Sequence, residues 1–513
     1  MVGPEVGQEA IKPIGLDMCG GRISSTGRRA AELSVLFLAG VLFTGFRSGV
    51  PGPWLDEGAT ILSAQRPWSS LLEMLGNIDA VHGLYYVMMH LWFDLVGYSP
   101  FTLRLPSVLA VAATAVILAR LGKRLFSARA GLWTGFAYLV MPSATQYAVE
   151  GRSTALAACS VTLAVLFLVE GLHRQSTGWW FGYSLAIVLA VHLFLFNGLV
   201  FMVLPVVLWL MPASRRQWAR FTIGSSLAAA ICIPLLVTAL PQRGQVAWIG
   251  EPTLRGLSVL PREVWYAFPS ATAYVGVAWV ILAAALAVFS KTMALGGPLL
   301  SSVLGIKALT VLVLGWLLAP VVVLVVVSLV GVNVYTPGYL FMTAPALALV
   351  IGVSINALRQ ARWAVWAVAS ALVMVVLPPW GEQREVDAKA PTAVTATVAA
   401  EFLAPGDSVL FVQGEGHGWT RLARYAYPDV FAGTSDLNLG TPFWESTTHF
   451  MESDVPLDEV AQERLRGARR VVVVVPEQPT EQGVADLTTL ATRGFAVSRS
   501  VQASEWIVQV WEA

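Results

Sequence analysis

Two adjacent carboxylates, Asp56 and Glu57, follow directly after the first long apolar stretch of this 513-residue chain. An ionisable side chain near hydrocarbon is costly, so a sequence that places one there marks a candidate functional site. We therefore expect the chemistry of the protein at this pair. The alternatives are that Asp56 is the N-cap of a helix opening near Gly58, and that Glu57 orients Asp56 or is a solvated first-turn carboxylate.

Other reactive side chains lie in two later stretches. An aromatic segment over 81–98 has the composition of a helix lying in the membrane interface, and it contains His82 and Tyr85. A second stretch has Glu150 and Arg152 at a helix start. The alternative for these two is a surface ion pair, which contributes about 0–1 kcal/mol.

The elements that carry these residues are membrane helices. Hydrophobic residues make up 56% of the chain and charged residues 13%, and the mean hydropathy is +0.66, unlike a soluble domain. Each apolar run reaches the length of about 20 residues that crosses a bilayer. We predict a polytopic α-helical membrane protein with eleven spans, near 31–50, 103–121, 130–147, 153–172, 179–195, 196–212, 219–240, 268–290, 308–330, 339–358 and 363–380.

The basic residues set the orientation. With 81–98 placed inside the first outer loop, 16 Lys and Arg fall on one side of the membrane and 7 on the other before residue 381, and the richer side is cytoplasmic. The apolar segment after the N-terminal tail runs into Pro51-Gly52-Pro53 without a cleavage site, as an uncleaved signal anchor does. The carboxylates before residue 381 fall at the two faces and none at mid-membrane, which argues against an ion-coupled carrier.

Residues 381–513 form a separate acidic unit, with 10 Lys and Arg against 19 Asp and Glu. No basic stripe for nucleic acid is present. Short β-branched runs alternate with helical patterns, which predicts an α/β domain with strands at 408–412, 470–475, 494–499 and 506–511 and helices near 391–403 and 455–467. We divide the chain into a cytoplasmic tail (1–30), a transmembrane catalytic domain (31–380) and an extracytoplasmic domain (381–513).

Metal and cofactor chemistry have little support in the sequence. The three cysteines match neither a disulfide framework nor a metal spacing. Asp56-Glu57 alone is a weak signal for a hard cation. We expect no metal and no other cofactor.

Several short motifs occur in a recognisable order after Asp56-Glu57. These are Leu84-Tyr85-Tyr86, Leu103-Arg104-Leu105-Pro106-Ser107, Gly122-Lys123-Arg124-Leu125-Phe126, Glu150-Gly151-Arg152 and Gln245-Val246-Ala247-Trp248-Ile249. Together they resemble the dolichyl-phosphate-mannose protein mannosyltransferase-like group, glycosyltransferases of the GT-C fold, over about residues 31–380. The resemblance implies an outer-facing site, a polyprenyl-phosphate-linked sugar donor and a catalytic Asp in the first outer loop, which is Asp56 here, with Glu57 beside it.

The chain departs from the pattern of this group in three places. His82-Gly83-Leu84-Tyr85 stands where Pro-Pro-Leu-Tyr is common, Glu150-Gly151-Arg152-Ser153-Thr154 where Glu-Ala-Arg-x-Tyr is usual, and Gly338-Tyr339-Leu340 where Arg-Tyr-Leu is expected. One phosphate-binding cation is therefore missing, and Arg152, Arg243 or Arg255 has to supply it. We expect donor or acceptor contacts from His82, Tyr85, Glu150, Arg152, Arg243, Gln245, Trp248 and Tyr339, although Trp248 also fits an interfacial belt.

These features predict a multi-pass cell-membrane enzyme that transfers a sugar, such as mannose or arabinofuranose, to a hydroxyl of a glycan, lipid or protein acceptor of the cell envelope. The hydroxyl needs a general base, while a phosphate leaving group needs cations. A single base favours inversion; a retaining route needs a second carboxylate, Glu57 or Glu150. The alternatives are a lipid-modifying or oligosaccharide-ligating enzyme of the same fold, and a lipid or glycan exporter.

Overall fold

Long apolar helices dominate the computed structural model, which describes residues 25–174, 176–267, 273–295, 304–416 and 418–513. Within these residues, seven helical segments are long and apolar enough to cross a membrane. Two shorter apolar helical segments, Thr177–Leu193 and Leu195–Trp209, accompany them. The protein is therefore a multi-pass membrane protein.

Helices in the membrane part coincide with all eleven predicted spans, although the number that cross the bilayer stays a prediction. Residues 1–24 of the predicted N-terminal tail and residues 268–272 of the eighth predicted span lie outside the described residues. In chain order the helices are α1 (Ser25–Gly45), α2 (Leu55–Ala64), α3 (Trp68–Asn77), α4 (Gly83–Val96), α5 (Pro100–Leu125), α6 (Ala128–Leu139), α7 (Pro142–Ala148), α8 (Thr154–Arg174), α9 (Thr177–Leu193), α10 (Gly198–Phe201), α11 (Leu204–Trp209), α12 (Arg215–Ala239), α13 (Leu254–Pro261), α14 (Ala273–Leu295), α15 (Ile306–Leu329), α16 (Ala344–Ala357) and α17 (Arg362–Glu382).

The helices break at two places within the predicted membrane segments. The 130–147 segment splits into α6 and α7 before Pro142, which takes the first position of α7, where its missing N–H costs nothing. The long apolar run 179–212 breaks at Phe194, whose backbone is extended, close to the boundary between the predicted spans 179–195 and 196–212. Asn197 is buried, and its Nδ2 donates to the carbonyl of Ala190 at the end of α9. A side chain thus supplies the hydrogen bond that the broken helix lacks.

The first loop (residues 46–99) is folded into helices. It contains α2, α3, a 3-10 turn over Ala80–His82 and the predicted interfacial helix, α4. Gly97 ends α4 at φ 77°, a backbone conformation that favours glycine. Ser99 then begins α5 with a capping box shared with Thr102.

The C-terminal domain (residues 392–513) has the predicted α/β composition. Its five-stranded sheet has the order β2-β1-β3-β5-β4; β1 is parallel to β2 and β3, and β5 is antiparallel to β3 and β4. Strands β1 and β3 are covered on both faces by two apolar clusters. The elements are α18 (Thr392–Phe402), β1 (Ser408–Phe411), α19 (Leu422–Ala426), β2 (Ser435–Asp436), α20 (Leu457–Arg464), β3 (Arg470–Val475), α21 (Glu481–Thr492), β4 (Ala496–Ala503) and β5 (Trp506–Glu512).

This domain packs directly on the first loop. Arg66, at the end of α2, is 1% exposed and donates to the carbonyls of Ser446, His449 and Phe450. A Cβ atom at Gly58 would lie 2.6 Å from the Trp419 ring, so only glycine lets α2 approach this closely. The C-terminal domain therefore fixes the position of the loop that carries the candidate carboxylates.

The predicted orientation can be tested with single cysteines in a background where Cys19, Cys159 and Cys232 are replaced by Ser. Ala128 begins α6 and Thr488 lies on α21, and both are exposed. If the basic loops are cytoplasmic, Thr488→Cys reacts with an impermeant maleimide in intact cells, whereas Ala128→Cys reacts only after lysis. The reverse labelling pattern would contradict the orientation.

Candidate active site

The two adjacent carboxylates have different surroundings because they occupy consecutive positions of a helix. The N-cap of α2 is Trp54, so Asp56 and Glu57 both lie in its first turn, and the alternative of Asp56 as N-cap is wrong. Consecutive helical side chains point about 100° apart. Glu57 is fully buried, while Asp56 remains partly exposed.

Glu57 forms a buried ion pair with Arg104 of α5. Oε1 accepts from Arg104 Nε at 2.7 Å and from the Gly151 backbone N–H at 2.7 Å, and Oε2 accepts from Arg104 Nη2 at 2.6 Å. Arg104 also donates to the carbonyls of Ser48 and Pro51. Burial alone would raise the pKa of Glu57, but Arg104, Lys389 and Gly151 together lower it to about 2. Glu57 is therefore ionised and has both oxygens engaged.

Arg152 lies beside Asp56 and forms no ion pair with a carboxylate of the described residues. Its Nη1 donates to the Asp56 carbonyl at 3.0 Å and to the Tyr86 hydroxyl at 3.2 Å, and its Nη2 bonds His82 Nε2 at 3.0 Å. Among the described ion pairs, none joins Arg152 to Glu150, so the surface-pair alternative is wrong. Burial would lower the pKa of Arg152, but Tyr86, Asp56 and Asp79 raise it. The guanidinium is charged, and three of its five N–H donors are used.

His82 and Asp79 complete the surroundings of Arg152. Burial and the Arg152 charge lower the pKa of His82 well below 6.5, so its ring is neutral. Because Arg152 can only donate, His82 Nε2 accepts and the ring proton lies on Nδ1. Asp79 Oδ2 accepts from Tyr86 at 2.9 Å, and burial raises the pKa of Asp79.

Glu150 lies within electrostatic range of Asp56, Glu57 and Arg152. Its side chain is buried, and Lys389, in the link between α17 and the C-terminal domain, brings its Nζ to 4.0 Å from Oε2. Burial raises the pKa of Glu150 against the opposing effect of Lys389, with further increases from Glu57 and Asp56.

Tyr85 is fully buried, within electrostatic range of Arg152, Glu57 and Glu150. Its side chain therefore has no exposed surface for a ligand.

The remaining predicted residues divide into two groups. Gln245 is part of the cluster, because with its amide oriented to satisfy both partners it bonds Oδ1 and the backbone N–H of Asp79 at 2.8 and 2.9 Å. The Tyr339 ring lies 5.0 Å from that of Phe194 and within electrostatic range of Asp56 and Arg152. Arg243 is exposed, and Trp248 is 72% exposed. The interfacial-belt alternative for Trp248 agrees with that exposure.

Four residues of the site were not predicted from the sequence: Asp79, Tyr86, Arg104 and Lys389. One sequence feature could have indicated Asp79, because it precedes the aromatic segment. In the structure its backbone has a positive φ of 59°. Arg104 lies inside a quoted motif, but its partner is 47 residues away. Lys389 reaches the site only through the fold of the C-terminal link.

Metal binding has no support in the described geometry. Among the residues that the structure describes, no group of three or more His, Cys, Asp or Glu side chains is arranged to hold a metal ion. Glu57, one half of the candidate cation pair, has hydrogen bonds from Arg104 and Gly151 to its two oxygens.

Fold and site together define a membrane protein of the GT-C fold. Residues 84–241 match the sequence profile of a family described as dolichyl-phosphate-mannose-protein mannosyltransferase, which confirms the resemblance to that group. The match includes Arg104, Glu150 and Arg152 and begins after Asp56 and Glu57.

Solved structures support the same fold. The crystal structure of ArnT from Cupriavidus metallidurans in the apo state aligns with a TM-score of 0.57 at 15% identity, over 94% of this chain and 98% of that one. The same protein bound to undecaprenyl phosphate aligns with a TM-score of 0.58 at 14% identity, over 95% and 98%. A search of curated proteins found no match in sequence.

Glu57→Gln should destabilise the fold strongly. Removing one partner leaves the Arg104 charge buried and uncompensated, at a cost of about 3–5 kcal/mol. The free energy of unfolding in detergent measures this, with Glu73→Gln as an exposed control on the same loop. Glu57→Gln combined with Arg104→Met should recover part of the loss; equal stability of wild type and Glu57→Gln would contradict a structural role.

The contribution of Glu57 should also depend on pH. Its pKa is about 2 in the folded protein, against an ordinary value of 4.5. Since the folded state binds this proton more weakly, the stabilisation is complete above pH about 4.5 and is lost as the pH falls through 4.5 toward 2. The stability difference between wild type and Glu57→Gln should shrink over that window. A difference that is constant with pH would contradict the assignment.

Proposed function

We propose that this protein is a membrane glycosyltransferase that moves a sugar from a polyprenyl-phosphate-linked donor to a hydroxyl acceptor at the outer face of the membrane. One observation carries the proposal. The charged Arg152 guanidinium is held beside the partly exposed Asp56 by neutral acceptors, and two of its N–H donors have no partner among the described residues. A base and an anion-binding group therefore stand next to each other.

Arg152 suits the leaving group of such a reaction. A phosphate needs positive charge as its bond to the sugar breaks, and preorganised donors stabilise that charge best in a water-poor site. Guanidinium groups bind phosphate through pairs of hydrogen bonds. His82 and Tyr86 hold the Arg152 guanidinium in place through hydrogen bonds. Asp79 in turn bonds Tyr86 and Gln245.

Asp56 suits the role of general base. A sugar hydroxyl is a weak nucleophile until its proton is removed in the transition state. Glu57 does not compete for this role, because Arg104 and Gly151 hold both of its oxygens. It is a positioning residue in this proposal, which revises its predicted role as a second catalytic carboxylate. With one available base, direct displacement with inversion is favoured over a two-carboxylate route.

The donor class follows from the proposed orientation and from the fold. Nucleotide sugars are cytoplasmic, so an outer-facing transferase needs a lipid-linked donor. The protein with the same fold, ArnT from Cupriavidus metallidurans, was crystallised with undecaprenyl phosphate bound. We assign the same class of lipid phosphate to this chain, with a glycan, lipid or protein of the cell envelope as acceptor and mannose or arabinofuranose as the first sugars to test.

An assay with purified protein in detergent separates this proposal from lipid or glycan export. Polyprenyl-phosphate mannose and polyprenyl-phosphate arabinofuranose are supplied with an envelope extract as acceptor, and free polyprenyl phosphate is quantified. A transferase releases it in step with sugar transfer. Loss of neither donor, together with movement of the intact lipid across proteoliposome membranes, would support export instead.

Asp56→Asn should lower turnover by about 10²–10⁴-fold, the usual contribution of general-base catalysis. The substitution keeps the shape of the side chain, so donor binding and thermal stability should stay close to wild type. Asp94→Asn on α4 is the matched control, since Asp94 is 66% exposed. Near-normal turnover of Asp56→Asn would remove the residue from the proposed mechanism.

Arg152→Ala should weaken donor use by roughly ten- to a hundred-fold. A charge-assisted hydrogen bond is worth about 1.5–3 kcal/mol, and about 1.4 kcal/mol is a factor of ten. Arg152→Lys should restore part of the loss, because charge survives and the planar fork does not. If Arg152→Ala lowers the melting temperature but leaves donor kinetics intact, the phosphate site lies elsewhere, with Arg243 and Arg255 as the next candidates.

A further inference from the structure

A cavity of about 310 Å³ lies between the C-terminal domain and the first loop. Its walls come from both parts of the chain, with Trp54 and Leu55 from the start of α2, Lys389 from the link, and residues of the loops after β1, β3 and β4 on the far side. Its volume is at the lower end of ligand pockets, which measure roughly 300–1,000 Å³. A small saccharide fits a space of this size.

The composition of the cavity is that of a site for a hydroxyl-rich ligand. Three tryptophans line it: Trp54, Trp419 and Trp506. Indole rings give apolar faces to ligands that carry polar groups at their edges. The buried Trp54 Nε1 has no partner among the described residues, so it remains able to donate.

The polar groups of the cavity are mainly acidic. Among the described residues of its wall, Glu415, Glu477 and Glu505 are exposed carboxylates and Lys389 is the one basic side chain. The resulting net charge is −2. Ionised carboxylates accept hydrogen bonds from hydroxyl and ammonium groups, whereas like charges brought together are unfavourable.

The cavity is adjacent to the proposed base. Trp54 is two residues before Asp56, so their Cα atoms are at most about 7.6 Å apart. Lys389 contacts both the cavity and Glu150, which lies beside the carboxylate pair. A sugar held here lies against the start of α2, the helix that carries Asp56.

We propose that this cavity is the acceptor subsite and that it selects neutral or amine-bearing carbohydrates over anionic ones. The inference rests on the proposed function, because it names the acceptor class of the same site. It excludes acceptors whose terminal sugar carries phosphate or carboxylate.

The test measures equilibrium binding of three trisaccharide probes to the full-length protein in detergent by isothermal titration calorimetry at low salt. The probes are mannotriose, which is neutral, chitosan trimer, which carries amines, and trigalacturonic acid, which carries carboxylates. Wild type should bind the first two at least ten-fold more tightly than the third. Because no donor is present, binding can fail while lipid-donor turnover persists, and the reverse, so the two proposals are tested separately.

Variants locate the binding site. Glu415→Gln, Glu477→Gln and Glu505→Gln together change the cavity charge from −2 to +1, and they should weaken chitosan-trimer binding at least ten-fold and tighten trigalacturonate binding. The matched control replaces Glu401, Glu459 and Glu463, exposed residues of the same domain outside the cavity wall, by Gln and should leave all three affinities unchanged. Equal binding of the three probes to wild type, or unchanged selectivity in the cavity variant, would overturn the proposal.

Discussion

The buried ion pair between Glu57 and Arg104 holds four segments of the chain together. It joins the first turn of α2 to α5, and through Gly151 and the carbonyls of Ser48 and Pro51 it also fixes the start of the first loop and the turn before α8. A buried pair of this kind is weak evidence of net stability, but each charge depends on the other. Asp56 and Arg152 are the chain neighbours of Glu57 and Gly151. The geometry of the proposed site therefore depends on this pair.

Adjacent carboxylates can thus have separate functions. The helix directs Glu57 inward to a cation and leaves Asp56 partly exposed beside a second cation that is not neutralised by contact. The C-terminal domain adds to this arrangement from outside, since Arg66 and Gly58 bring it into contact with α2. The candidate site therefore lies where the membrane helices meet the C-terminal domain.

Local patterns predicted most of the secondary structure. The apolar runs located the helices, the aromatic segment located α4, and the β-branched runs located β1 and β3. Helix α21 was not predicted: Val484, Leu487 and Leu490 recur at helical spacing, but the Gly, Asp and three Thr within Glu481–Thr492 are weak helix formers.

The site was predicted in part. Asp56, Arg152, His82 and Gln245 come together because they belong to short motifs on neighbouring elements. The partners Glu57–Arg104 and Glu150–Lys389 are separated widely along the chain, and no periodicity encodes such contacts. His82 stands where related sequences often have proline, and its neutral ring accepts a hydrogen bond from Arg152 that proline could not accept.

A cryo-EM structure of the protein with undecaprenyl phosphate tests the central claim most directly. We predict a phosphate oxygen within about 2.7–3.2 Å of an Arg152 guanidinium nitrogen, on the side of Asp56 that faces away from the C-terminal domain. A phosphate bound at Arg243 or Arg255, or at the opposite membrane face, with Arg152 still bonded only to Asp56, Tyr86 and His82, would contradict the proposed mechanism.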